Sequence, residues 1–167
     1  MTIEKLVEGN LRFIKGHDKV FMDGLIHGQM PHSVIVTCSD SRVSPELIFD
    51  QNFGEIFVIR SAGNTIDENA IASIQYAVDH LKVPLVVVLG HEDCGAVNAA
   101  LFSGERHPKE LEGLLSKIRS HLAGCKAGEE TRANVDAVVR EIKDRLQERS
   151  VKVVGAIYSL KTRRVEF

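Results

Sequence analysis

The chain has 167 residues, of which 44% are hydrophobic and 26% charged, with a formal charge of −2 and a pI near 6.4. That balance supports a sizeable core and argues against global disorder, and the length predicts one domain over 1–167 with a helical arm over about 1–32. No basic tract stands out, which argues against nucleic acid or an anionic membrane as partner. The longest apolar run, PLVVVLG at 84–90, is far short of the ~20 residues a bilayer span needs. MTIEKLVEGN carries no secretory apolar segment, so a cytoplasmic protein is expected. Three cysteines, an odd count, point to a metal, a reactive thiol or packing rather than a disulfide framework.

In chain order, TIEKLVEGNLRFIKG (2–16) sets Ile3, Leu6, Val7, Asn10 and Phe13 at helical spacing, and Gly16 can end the helix. Its face is only modestly apolar, which predicts packing on a partner subunit as well as on its own core. Residues 17–32 read as loop or irregular helix. SVIVTC (33–38) reads as a strand. Ser44, Pro45 and Glu46 make a helix start, with serine as cap, proline at the first helical position and an acid at the positive end of the dipole. That helix is expected to run to about Asn52. EIFVIRS (55–61) is a second strand and AGNTI a turn.

DENAIASIQYAVDHL (67–81) reads as a helix with Ile71, Ile74, Val78 and Leu81 in one stripe. VPLVVVLG (83–90) is a third strand, apolar on both faces as in a covered parallel sheet. HEDCGAVNAALF (91–102) is a loop entering a helix. KELEGLLSKIRSHL (109–122) and ANVDAVVREIKDRLQERS (133–150) are further helices. VKVVGAIYSL (151–160) is a strand beside which TRRVEF returns. Alternating strands and helices predict an α/β fold, a central mostly parallel sheet flanked by helices, with its ligand crevice at the carboxyl ends of the strands.

Two polar clusters fall at such ends. Cys38, Asp40 and Arg42 follow the first strand, and His91 and Cys94 follow the third. Parallel strands bring both clusters to one sheet edge. Two thiolates and an imidazole are a zinc ligand set that leaves one tetrahedral position open, whereas a structural site normally closes with four protein ligands. Cys94 also precedes a helix start, whose positive end favours the thiolate. Taken singly, each feature has a plainer reading. A Cys ending an apolar strand is more often packing, a His-x-x-Cys arises by chance, and an Asp–Arg pair can simply tie a turn. On pattern alone the open zinc site and the plain reading stand level.

CSDSRV (38–43) and GHEDCGAV (90–97) resemble the two signatures of the β-class carbonic anhydrases, in their plant-like subgroup. LVEGNLRF (6–13), GQMP (28–31), SPELIFDQ (44–51), GEIFVIRSAGN (54–64), SIQYAVDHLKV (73–83) and VVVLGH (86–91) follow the family's order and spacing, so the resemblance covers nearly the whole chain. It implies zinc held by Cys38, His91 and Cys94, with Asp40 and Arg42 as a catalytic dyad. It implies reversible hydration of CO2 to bicarbonate by zinc-bound hydroxide. By the same resemblance Gln29, Phe57 and Tyr76 line the substrate pocket, and Gly63 and Gly95 offer close backbone contacts. Tyr76 lies about 140° from Ile71 on a helical wheel, off the core stripe. The resemblance further implies a homodimer or a dimer of dimers with sites at the subunit interface, Gln29 and Tyr76 then serving the neighbour's zinc.

SAGN stands where many plant-like members have an RNxAN-like stretch, and TRR where relatives often have a Thr-Gly turn. His17, His27, His32, His80, His107 and His121 offer no distinguishable proton shuttle, and Cys125 reads as a loop thiol. Two other readings compete. A carbonyl sulfide or carbon disulfide hydrolase of the same family would share the zinc and the dyad. A non-catalytic zinc domain would need a fourth protein ligand and would leave Asp40 and Arg42 without a task.

Overall fold

A five-stranded sheet organises the computed structural model, which describes residues 3–16, 24–102 and 106–167. Its strands are β1 (Ser33–Cys38), β2 (Ile56–Ser61), β3 (Leu85–His91), β4 (Lys152–Tyr158) and β5 (Val165–Glu166). They lie in the order β2-β1-β3-β4-β5, the first four parallel and β5 antiparallel to β4. Every residue of β1 is buried, as a strand covered on both faces requires.

Side-chain alternation sorts the strands onto two cores. Val34, Val36, Val86 and Val88 face one side, packed with Ile71, Ile74 and Ala77 of α3 (Glu68–Asp79) and with Val135, Val138, Val139 and Ile142 of α6 (Glu130–Arg145). Ile35, Val87, Leu89, Ala156 and Tyr158 face the other side, against Val43, the one-turn helix α2 (Pro45–Ile48) and the β5 return. A third cluster caps the carboxyl edge. It joins Cys38 and Cys94 to Val97 and Ala100 of α4 (Gly95–Leu101) and to Leu115 and Ile118 of α5 (Lys109–His121).

The N-cap of α3 is Asp67, whose carboxylate accepts from the Ala70 amide at 2.8 Å. At α2 the sequence expectation was too long. The helix stops at Ile48, and Asp50 takes a left-handed conformation (φ 51°) that no helix continues through. Ser44 does not cap it through its side chain, because its hydroxyl donates instead to Glu46 Oε2 at 3.2 Å. The α6 helix begins at Glu130, earlier than expected, and ends at Arg145.

The first helix, α1 (Ile3–Gly16), buries no residue in this chain. Ile3, Leu6, Val7, Leu11 and Ile14 are exposed, while Phe13 meets Phe53 edge-to-face at 5.6 Å. Of the segment expected to be loop, 24–27 is turn and 28–32 has no regular structure. His17 lies outside the described residues. Among the described residues no helix is long and apolar enough to cross a membrane.

Candidate metal centre

Strand register decides what meets at the carboxyl edge. Thr37 pairs with Leu89 and Cys38 with Ser61, so the end of β1 lies beside the end of β3 and the start of the 3-10 turn Ala62–Asn64. There one donor atom each from Cys38, His91 and Cys94 lies within 4.8 Å of the others, and all three residues are buried. The two sulfurs are 3.9 Å apart. Two sulfurs at ~2.3 Å from a tetrahedral zinc stand roughly 3.8 Å apart, so the pair has the spacing that zinc requires.

The imidazole supports the same fit. His91 Nδ1 donates to the Glu92 carbonyl at 2.8 Å, which leaves the Nε2 lone pair turned to the cluster. That Nε2 is buried and has no hydrogen-bond partner. A buried polar atom is costly to leave unpaired, and a cation supplies the missing partner. The bond from the Cys94 thiol lowers the Cys38 pKa and favours its thiolate, while the same bond, with burial, raises that of Cys94 and holds the proton there. A divalent cation replaces that proton. For His91, burial disfavours the charge, but the neighbouring Cys38 sulfur and the Glu92 carbonyl favour it and raise its pKa.

Asp40 stands at the mouth of this cluster, its Oδ2 3.8 Å from His91 Nε2. Arg42 grips it from two sides. Arg42 Nε and its own backbone N–H donate to Asp40 Oδ1 at 3.0 and 2.8 Å, and Nη2 donates to Oδ2 at 2.7 Å. These charge-assisted bonds hold the Asp40 carboxyl far below the ordinary carboxylate range, so it is ionised at any working pH. Arg42 is pinned in turn by the Asp93 carbonyl at 3.3 Å.

Sequence reasoning missed Arg60. From β2 its guanidinium donates to the carbonyls of Cys38 (3.1 and 3.2 Å), Asp40 (2.8 Å) and Val43 (2.7 Å), fixing the whole CSDSRV turn. The available signal was a lone cation near the end of an otherwise apolar strand.

The remaining sequence candidates separate. Gly63 (φ 64°) lies in the centre, but its N–H donates to Cys38 Sγ at 3.4 Å and its carbonyl accepts from Asn134 at 2.8 Å. Its N–H and its carbonyl are thus both engaged within the chain. Gly95 is exposed and opens α4, with no atom within 4 Å of the place a Cβ would take. Phe57 and Tyr76 meet each other, with ring centroids 6.4 Å apart. However, Phe57 pairs with Val34, four residues before Cys38 on the neighbouring strand, or about 13 Å along the sheet. Gln29 is exposed on the chain leading into β1. The fold therefore does not gather Gln29, Phe57 and Tyr76 at the metal donors of their own chain. A cavity of about 550 Å³ between β2, α3 and α5, bordered by Asp67, Ser73 and Lys117, includes neither the donors nor Asp40.

Residues 33–165 match the family described as carbonic anhydrase. The chain is similar to carbonic anhydrase 2 of Mycobacterium tuberculosis, 55% identical over 102 residues, which are 58% of this chain and 49% of that protein. It thus spans about half the length of that relative in the match. A carbonic anhydrase of Mycolicibacterium smegmatis is 39% identical across 96% of this chain and 89% of its own. Among solved structures, a tetrameric β-carbonic anhydrase of the ascomycete Sordaria macrospora superposes with a TM-score of 0.83 at 28% identity, covering 98% of this chain and 95% of that one. A family match over most of the chain, the same fold and a thiolate–imidazole–thiolate cluster at the matching sheet edge agree, and this chain belongs to the β-class carbonic anhydrase family.

Proposed function

We propose that the chain catalyses the reversible hydration of CO2 to bicarbonate and a proton, with zinc held by Cys38, His91 and Cys94. The observation that carries this is the ionised Asp40 beside the orphaned His91 Nε2, within a donor set that offers zinc three ligands and leaves one position open. When bound, zinc supplies Lewis acidity that makes a water nucleophilic near neutral pH.

The chain's own residues do the rest. Asp40 is acceptor-only, and its Oδ2 takes one bond from Arg42, leaving a lone pair free toward the centre. That lone pair accepts the nucleophile's hydrogen and turns the attacking oxygen toward the carbon of CO2. Arg42 keeps Asp40 charged and fixes its rotamer, and Arg60 holds the turn that carries both. Bicarbonate leaves, and the proton passes to solvent or buffer.

The substrate pocket is completed between subunits. Gln29, Phe57 and Tyr76 stand away from their own chain's donors and serve a neighbour's site, with the exposed apolar side of α1 as part of the contact. The tetrameric Sordaria protein is consistent with such an assembly. Within it, residues 1–167 act as one domain.

Stopped-flow CO2 hydration from pH 6.5 to 9, on protein of known zinc content, tests the reading. Fast turnover at one zinc per chain, rising with pH, is expected. Inactivity at every pH despite full zinc would overturn it and direct the search to carbonyl sulfide or carbon disulfide.

A further inference from the structure

Asn134 interrupts the apolar face of α6. Val138 and Ile142 follow it at i+4 and i+8, fully buried, and Asn134 itself is 1% exposed. A polar side chain in such a place is costly unless both of its ends are bonded. Both are: Nδ2 donates to the Gly63 carbonyl at 2.8 Å, and Oδ1 faces His121 Nδ1 at 2.8 Å. The opposite amide orientation would set two oxygens against each other at Gly63, so the network assigns Oδ1 as acceptor and places the His121 proton on Nδ1.

The far side of the same glycine touches the metal centre. Gly63 N–H donates to Cys38 Sγ at 3.4 Å. We propose that Asn134, backed by His121, is a positioning residue for this centre: it holds Gly63 where the glycine N–H bonds the Cys38 sulfur and tempers its electron donation to the metal. The inference rests on the zinc reading above.

Two features of the packing make the hold specific. A Cβ at Gly63 would lie 2.7 Å from Ile118 Cδ1, so the turn is seated between α5 and the ligand with no room to drift. Next to Asn134, Val135 nests over Gly90 and Gly155, where a Cβ would come within 2.5 and 2.7 Å of its methyls, which fixes the height of α6 above the sheet. The asparagine is thereby carried on a rigid element to a rigid turn. Hydrogen bonds to ligand sulfur lower its basicity, and partners behind the ligands typically change metal affinity by about 10–100-fold.

A tie that merely fastens α6 to the turn would cost stability and leave the sulfur's electronics unchanged. The test therefore reads the sulfur. Cobalt(II) is loaded in place of zinc into wild type, Asn134→Leu, His121→Phe and Val138→Ala, and the thiolate-to-metal charge-transfer band is recorded beside zinc release to a chelator and thermal unfolding. Asn134→Leu is expected to move the band to lower energy, because the sulfur donates more strongly, and to speed zinc release about tenfold or more, because the turn that positions Cys38 is no longer held. His121→Phe should do the same to a smaller extent. Val138→Ala, which only opens a cavity in the same helix, should lose stability with band and release unchanged. Wild-type band and release in folded Asn134→Leu and His121→Phe, or an equal shift in Val138→Ala, would overturn the proposal. Should Asn134→Leu fail to fold, His121→Phe decides. A wild-type protein that binds cobalt without any thiolate band overturns the zinc reading itself and is distinct from either result.

Discussion

Arg42 sets both the charge and the aim of Asp40, and the geometry separates the two. The bonds to both carboxylate oxygens keep Asp40 charged, and the backbone N–H of Arg42 fixes its rotamer. None of those bonds involves the metal donors. Asp40→Ala is therefore expected to retain one zinc per chain while hydration slows by about 10²-fold or more, the scale on which misplacing a reacting group acts. Metal analysis beside stopped-flow rates checks both halves. Zinc-replete protein with full activity would remove Asp40 from the mechanism.

Among the elements, the close seat of α6 on the sheet is the most exacting. Gly90 and Gly155 lie under Val135, and a methyl at Gly90 would also crowd Thr131 and Ile157. Gly90→Ala is expected to lose about 1–3 kcal/mol by overpacking, read as a lower denaturant midpoint at unchanged m.

The far ends of α3 and α6 are tied by another device. Arg149, just past α6, donates through Nε and Nη2 to the two Asp79 oxygens at 2.7 and 2.8 Å. That bond lowers the Asp79 pKa. A lowered carboxylate contributes stability that is present above its unfolded value of ~3.9 and lost as pH falls through its folded value. Wild type should thus exceed Arg149→Ala in unfolding midpoint at pH 7, with the difference shrinking below about pH 4. A difference that persists undiminished at pH 2 would assign it to packing of the arginine stem.

At the scale of the whole molecule, the proposed assembly rests on surfaces that one chain leaves uncovered. The first helix buries no residue in this chain, and Phe57 lies about 13 Å along the sheet from its own chain's donors. Val7→Glu with Ile14→Glu places two charges on the exposed side of α1. This variant is expected to sediment as a smaller species than wild type, to keep its zinc and to lose most of its turnover. Wild-type mass together with the loss would place the defect within one chain.

Periodicity and local punctuation were enough for the parts of this protein that are local. The strand SVIVTC, the alternation with helices and the return of the last residues beside β4 are each written in runs of apolar residues and the breaks between them. The convergence of Cys38 with His91 and Cys94 was also legible, because a parallel sheet forces its carboxyl ends together whatever the separation in sequence. The supporting contacts were not. Arg60 reaches three carbonyls 17 to 22 residues away, Asn134 reaches Gly63 across 71, and the length of α2 was set by a left-handed turn at Asp50. Those depend on where a side chain ends once the elements are stacked. Stacking is fixed by the close approach of helix to turn at Gly63 and of helix to sheet at Gly90 and Gly155, which leaves no periodic trace in the chain.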